Sequence, residues 1–161
     1  MHAQIEAIGT VHAPRRTAED DFWGGEVATI TLAAGFTADA LAGLDAFSHV
    51  EVLYLFHSVD PARIVAGARH PRNNPAWPAV GIFAQRGKNR PNRIGSTICR
   101  ILRVEGTTLH VAELDAIDGT PVLDLKPAMA EFLPRTPVRQ PAWSHELMAA
   151  YWRARTEGET G

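Results

Sequence analysis

The sequence predicts a mainly β fold, a single small barrel of six or seven strands with a short internal helix and a C-terminal helix. Three observations predict it. About seven short runs carry strand patterning, several with apolar and polar residues in alternation. Turn residues, notably Gly106 and Asp118-Gly119, separate consecutive runs. No β-α-β alternation is present, and helix signals occur at only two places. A chain of 161 residues fits one domain with its own core.

The elements follow in order. Ile5 to His12 is the first candidate strand. Glu26 to Leu32 sets Val27, Thr29 and Thr31 on one face and Ala28, Ile30 and Leu32 on the other. Thr37 to Gly43 predicts about two turns of helix opened by a Thr37 cap. His49 to His57 is the most apolar run, with Val50, Val52, Tyr54 and Phe56 on one face, and predicts a central strand. Pro61 to Pro78 is a long irregular connection, which in a compact domain points to a functional or disordered loop. Trp77 within it predicts an anchored one. Strands follow at Val80 to Ala84, Thr97 to Val104, Thr108 to Leu114 and Pro121 to Lys126. Ser144 opens the last helix, with Trp143 and Met148 placed as a hydrophobic staple and Leu147 and Tyr151 sharing a face. Thr156 to Gly161 reads as a disordered tail. The expected organisation is a barrel domain over 5–135 and a helix and tail over 136–161.

A hydrophobic content of 45% and a charged content of 21% place the chain among folded proteins rather than disordered ones. The single cysteine, Cys99, cannot form an intrachain disulfide, which suits a reducing cytoplasm. It lies in an apolar run and reads as a buried thiol. No apolar stretch approaches a membrane span, and the first residues do not read as a signal peptide. The seven histidines show no zinc spacing, so no metal site is expected.

Charge is segregated. Between Pro61 and Val104 no acidic residue occurs, while nine of the 16 Lys and Arg residues fall there. Arg86, Lys88, Arg90 and Arg93 crowd into one loop. Such a field attracts phosphates, carboxylates or polyanions, or is simply a solvated basic face. Arginine can grip either anion in a bidentate fork. Asn92 in the same loop either caps a following element or bonds a ligand. A second cluster, Asp115, Asp118 and Asp124, surrounds a turn between two apolar strands. Asp118 either caps its turn or serves a ligand at a barrel mouth, and Asp124 can pair with Lys126. Trp23-Gly24-Gly25 fits a tight turn or a close ligand approach. His57 and Ser58 end the central strand, where a structural histidine is the alternative to a functional one.

Together these segments resemble the TsaA-like family, the tRNA N6-threonylcarbamoyladenosine methyltransferases. The resemblance rests on Ile8-Gly9 through Pro14, on Ala46-Phe47-Ser48-His49 through Phe56-His57, on Gly81-Ile82-Phe83-Ala84-Gln85-Arg86 with Arg90-Pro91-Asn92-Arg93-Ile94-Gly95, and on Leu114-Asp115 through Lys126-Pro127. It covers roughly Ile5 to Arg135. Gly87-Lys88-Asn89, Arg93 and Ala128 depart from the family pattern.

The resemblance implies an all-β barrel that binds S-adenosylmethionine without a Rossmann fold, and a homodimer with cofactor near the interface. The absence of a Gly-x-Gly-x-x-Gly turn agrees. It carries cofactor contacts onto Trp23, Gly24, Gly25, Glu26, His57, Ser58, Arg86, Ser96, Leu114, Asp115, Ala116 and Ile117. The charge census, rather than the resemblance, places substrate binding on Lys88, Arg90 and Arg93, and catalytic roles are expected of Asp118, Arg90, Asn92 and Lys126. The expected reaction is methyl transfer to a nitrogen of the modified adenosine beside a tRNA anticodon. The alternatives are a methyltransferase of this fold acting on a small anionic molecule, and a non-catalytic S-adenosylmethionine- or RNA-binding module.

Overall fold

The fold is taken from a computed structural model that describes residues 1–156. Eight strands form: β1 (Gly9–His12), β2 (Val27–Leu32), β3 (His49–Leu55), β4 (Ala68–Arg69), β5 (Val80–Gly81), β6 (Ile94–Glu105), β7 (Thr108–Ala112) and β8 (Pro121–Pro127). Six of them close a barrel in the order β1-β2-β7-β6-β3-β8, and β8 returns to pair with β1. All six pairings are antiparallel. Closure leaves no unpaired sheet edge in the barrel.

The two-residue period predicted for β2 and β3 sets the core. Ala28, Ile30 and Leu32 are buried from β2, and Val50, Val52 and Tyr54 from β3. Val11, Leu41, Cys99, Leu109, Val111, Leu114, Ala116 and Val122 complete the interior. Each buried aliphatic side chain contributes roughly 1.5–3 kcal/mol. Glu105 pairs with Thr108 across Gly106 and Thr107, and Gly106 takes φ +60°, as a two-residue hairpin turn requires.

Several expectations are corrected. The first strand begins at Gly9, not Ile5, and Ile5 is exposed. The predicted Val80–Ala84 strand is outside the barrel: only Val80 and Gly81 pair, with β4, and Ile82–Ala84 forms a 3₁₀ turn. The reason is local. Ile82 N–H bonds the Gly67 carbonyl at 2.9 Å, and the Gln85 amide bonds the carbonyls of Arg69 and Val80 at 3.0 and 2.9 Å, which folds the chain back on itself. The Thr37 helix is a short 3₁₀ turn, Ala38–Leu41, without a side-chain cap. The C-terminal helix α1 runs Ala142–Met148. Ser144 therefore lies inside it, its Oγ donating to the Pro141 carbonyl at 2.7 Å, and the staple positions do not apply. Tyr151 lies beyond the helix end. Trp77 is anchored as expected, donating Nε1–H to Glu146 at 2.8 Å. Of the expected disordered tail, residues 157–161 lie outside the described residues.

Candidate active site

Antiparallel pairing gathers the predicted functional loops at one rim of the barrel. Val27 opposes Ala112, Leu55 opposes Ile94, Tyr54 opposes Val122 and Thr10 opposes Pro121. The connections following β1, β3 and β7, and the one preceding β6, therefore all emerge at this end. They carry Trp23 to Glu26, His57 and Ser58, Leu114 to Asp118, and the basic loop.

Asp115 is the hub of this rim. Its Oδ1 accepts the Tyr54 hydroxyl at 2.9 Å and the Thr97 hydroxyl. Its Oδ2 accepts the hydroxyl of Tyr151. The chain has two tyrosines, and both point at this carboxylate. Burial, then the Asp115 charge, pushes both phenols up from their ordinary value of 10.0. Arg86 and Arg72 lie near enough to Tyr151 to oppose that rise. Gly95 makes the arrangement possible. It opposes Tyr54 on β6, and a β-carbon there would stand 2.5 Å from the Tyr54 ring. The ring thus lies across β6, with its hydroxyl at the rim.

A second network shapes the loop before β2. Arg15 is buried, pairs with Glu26, and donates to the carbonyls of Asp21 and Phe22 at 3.0 and 2.6 Å. Its guanidinium lies 3.8 Å over the Trp23 ring. Arg72 grips Asp21 through two 2.8 Å bonds. The C-terminal segment then straps this loop: Phe22 and Trp23 donate backbone N–H groups to Ala150 and Tyr151 carbonyls at 3.2 and 2.8 Å. A β-carbon on Gly24 would sit 2.0 Å from the Trp152 carbonyl. The backbone that Gly24 lets approach is the chain's own. Gly25 faces open space apart from Ala154 at 3.9 Å.

The remaining predicted residues divide. Arg86 is exposed and donates to the Ser96 carbonyl at 2.5 Å, while Ser96 Oγ donates to Glu51 at 2.7 Å. Leu114 and Ala116 side chains belong to the core, which leaves their backbone and the half-buried Ile117 at the rim. His57 is half-buried, 3.9 Å from where a Gly119 β-carbon would stand. Ser58 is exposed. Asp118 Oδ1 accepts Ala13 N–H at 3.2 Å, so it ties β8's approach to the β1 loop rather than capping its own turn. Arg90 is half-buried and donates to the Gln85 carbonyl at 3.0 Å. Asn92 is exposed and caps nothing: its amide has no hydrogen-bond partner among the described residues. Lys88 and Arg93 are half-buried, and Arg93 holds φ +53°. Lys126 is not brought to this rim. It pairs with Asp124 and opposes Glu51, farther along the wall.

Tyr151, Thr97 and Arg15 are absent from the expected site. No local motif marks them. The one available signal was the pair of tyrosines, polar-tipped residues in apolar surroundings that need a hydrogen-bond partner when buried. Among the described residues, no group of His, Cys, Asp or Glu is arranged to hold a metal ion. No helix among them is long and apolar enough to cross a membrane.

The family model for the tRNA-methyltransferase O N-terminal domain matches residues 11–132, which spans every barrel strand but two residues of β1. The chain belongs to the tRNA-methyltransferase O N-terminal domain family. A probable S-adenosyl-L-methionine-binding protein of Pyrococcus abyssi is 30% identical, over 94% of this chain and 81% of that protein. The tRNA (adenine(37)-N6)-methyltransferase of Escherichia coli is 38% identical over 60% of this chain and 43% of its own length, and the mouse enzyme of that name 42% over 58% and 21%. The chain thus spans about a fifth of the mouse enzyme. A crystal structure of TrmO from Pseudomonas aeruginosa superposes with TM-score 0.68 and 28% identity, covering 86% of this chain and 62% of that one.

Within this family fold, two buried donors lack partners among the described residues, Trp23 Nε1 and Arg69 Nε. A buried unpaired N–H costs about 1–3 kcal/mol. Trp23 Nε1 lies in the candidate cofactor segment, its ring under the Arg15 guanidinium.

Proposed function

We propose that this family member transfers a methyl group from S-adenosylmethionine to the N6 nitrogen of threonylcarbamoyl-adenosine beside a tRNA anticodon. The observation that carries the reading is the meeting, at one rim, of the Asp115 hub with a basic loop that no carboxylate neutralises. Among the described residues, Arg86, Lys88, Arg90 and Arg93 make no ion pair. The names of the relatives support the cofactor and, as acceptor, N6 of adenine 37 in tRNA.

The rim's donor set suits that cofactor, which carries a carboxylate, an ammonium group and ribose hydroxyls. Arg86 offers a fork for the carboxylate, the orphaned Trp23 Nε1 a donor, and Asp115 and the backbone of Leu114 and Ala116 acceptors. Gly24 and Glu26 shape this pocket rather than touch its contents, one through Trp152 and the other through Arg15. Gly25, His57, Ser58, Ser96 and Ile117 stand at the same rim. When bound, S-adenosylmethionine supplies a methyl group activated by its sulfonium charge. This chain's residues then have to orient the acceptor in line and manage one proton. Asp118 is half-buried at the rim, and its Oδ2 has no partner among the described residues. It accepts the proton that the acceptor nitrogen gives up. Lys88, Arg90 and Arg93 hold the threonyl carboxylate and backbone phosphates, and Asn92 bonds the base or its substituent. Lys126, remote on the barrel wall and paired with Asp124, takes no direct part in this scheme.

A homodimer belongs to the same reading. Residues 129–140 are all exposed, yet include Phe132 at 86% and Val138 at 70% exposure. Glu131, Arg135 and Arg139 among them give mixed charge, suited to another protein surface. Trp77 and Trp143 are half-buried, so this arm, rather than those rings, supports self-association. Action on tRNA and the reduced Cys99 suit a cytoplasmic setting. Calorimetric titration of metal-free protein with S-adenosylmethionine tests the cofactor assignment. Nucleoside mass spectrometry of tRNA from cells with and without the gene tests the acceptor. Binding with no change in tRNA nucleosides would favour the small-molecule alternative.

A further inference from the structure

We infer that Phe83 is a stacking platform for an unpaired base of the tRNA anticodon loop. The inference rests on the proposed tRNA acceptor and names the residue that grips a base rather than a phosphate. Phe83 is 77% exposed, while its neighbour Ile82 is buried at 2%. The turn that presents it is fixed from several sides. Ile82 N–H bonds Gly67, the Gln85 amide bonds Arg69 and Val80, and Arg90 clamps the Gln85 carbonyl. An exposed aromatic on a fixed turn keeps apolar area in water without the freedom to hide it.

The charge of its sequence segment selects the occupant. Phe83 lies on the segment between Pro61 and Val104 that has no acidic residue. Of the nine cations there, Arg72 and Arg103 are paired with carboxylates. Arg63, Arg69, Arg86, Lys88, Arg90, Arg93 and Arg100 make no ion pair among the described residues. A second copy docking through the adjoining loop, with its unpaired Arg86, Lys88, Arg90 and Arg93, would bring like charges together, which opposes association. The mixed-charge arm at 129–140 carries no such penalty. Phosphates neutralise the cations, and a base offers a flat π-face to the ring. That combination of backbone-tracking cations and aromatic stacking is how single-stranded segments are held.

The test uses the full chain and an unmodified anticodon stem-loop RNA carrying 2-aminopurine at successive loop positions. Anisotropy should show Phe83→Ala weakening binding roughly 5- to 150-fold, the equivalent of one lost base–aromatic stack. The slope of affinity against salt should stay unchanged, because no phosphate contact is lost. Phe83→Tyr should restore binding. Wild-type protein should quench 2-aminopurine at one loop position, and Phe83→Ala should not. Affinity for S-adenosylmethionine, melting temperature and solution mass should be the same in all variants. Phe83→Ala binding RNA within twofold of wild type would overturn the inference. A halved solution mass for Phe83→Ala would also overturn it, assigning the ring to an interface between copies. If wild type binds no RNA, the tRNA reading fails with it. RNA binding that ignores Phe83 removes the stacking role alone.

Discussion

Tyr151 donates its hydroxyl to Oδ2 of Asp115, which joins the last turn of the described chain to the mouth of the barrel. The bond spans 36 residues and sits where Trp23 N–H also bonds the Tyr151 carbonyl. The C-terminal segment is thereby part of the candidate site.

Tyr151→Phe should remove one charge-assisted bond, worth roughly 1.5–3 kcal/mol. The expected outcome is a lower melting temperature and about tenfold or weaker S-adenosylmethionine binding by calorimetry, since Asp115 loses a fixed orientation. Asp115→Ala should do more damage. It strands the buried Thr97 hydroxyl at about 1–3 kcal/mol and leaves the Tyr54 hydroxyl only its 3.2 Å bond to the backbone carbonyl of residue 115. A Tyr151→Phe variant with unchanged stability and unchanged cofactor affinity would separate this bond from the site.

Alkaline pH should destabilise the fold. Tyr54, Tyr151 and Cys99 are all held above their ordinary values of 10.0, 10.0 and 9.0, chiefly by burial. Unfolding frees them to ionise, so above those values the unfolded state binds fewer protons. Stability falls with rising pH there, by up to about 1.4 kcal/mol per pH unit for each group. Denaturant midpoints should be flat from pH 7 to the onset of thiol ionisation in the unfolded chain, then decline. Cys99→Ala should move the onset from near 9 to near 10.

Gly24→Ala should act through the strap. The added carbon meets the Trp152 carbonyl at 2.0 Å, and backbone cannot yield as a side-chain tip can. Displacing the segment costs the Phe22 and Trp23 backbone bonds, about 1–3 kcal/mol together. Hydrogen exchange should show those two amides losing protection while the β3 and β6 amides keep theirs.

Much of this was legible in the sequence, and the losses have physical causes. The alternation along Val50, Val52 and Tyr54 reports burial directly, so β2, β3 and the closed barrel follow from pattern. Val80 to Ala84 carries the same apolar signal, but its fate turns on bonds from Gln85 to Arg69 and Val80, which periodicity does not encode. Ser144 looks like the cap of α1, whereas Pro141 fixes the entry one turn earlier. At the site, the loops that share the rim were named from motifs. The Tyr151–Asp115 and Arg15–Glu26 contacts arise only from folding.

The basic loop separates two roles. Arg86 bonds the Ser96 carbonyl beside the Asp115 hub, so Arg86→Ala should weaken S-adenosylmethionine binding about ten- to a hundredfold. Arg93 sits at φ +53°, a conformation that is unfavourable by roughly 1–2 kcal/mol for a residue with a β-carbon. Arg93→Gly should therefore hold or raise the melting temperature while lowering the salt slope of tRNA binding by about one. Loss of cofactor affinity in Arg93→Gly would contradict this division.

The most direct measurement is methyl transfer itself. The full chain is incubated with S-adenosylmethionine and tRNA bearing threonylcarbamoyl-adenosine, and the digested nucleosides are weighed by mass spectrometry. The account predicts that the modified adenosine gains one methyl group, and that Asp118→Asn, folded and cofactor-binding, forms the product at least a hundredfold more slowly, the range typical of a lost general base. An unchanged nucleoside mass, with protein that calorimetry shows to be folded and loaded with S-adenosylmethionine, would contradict it.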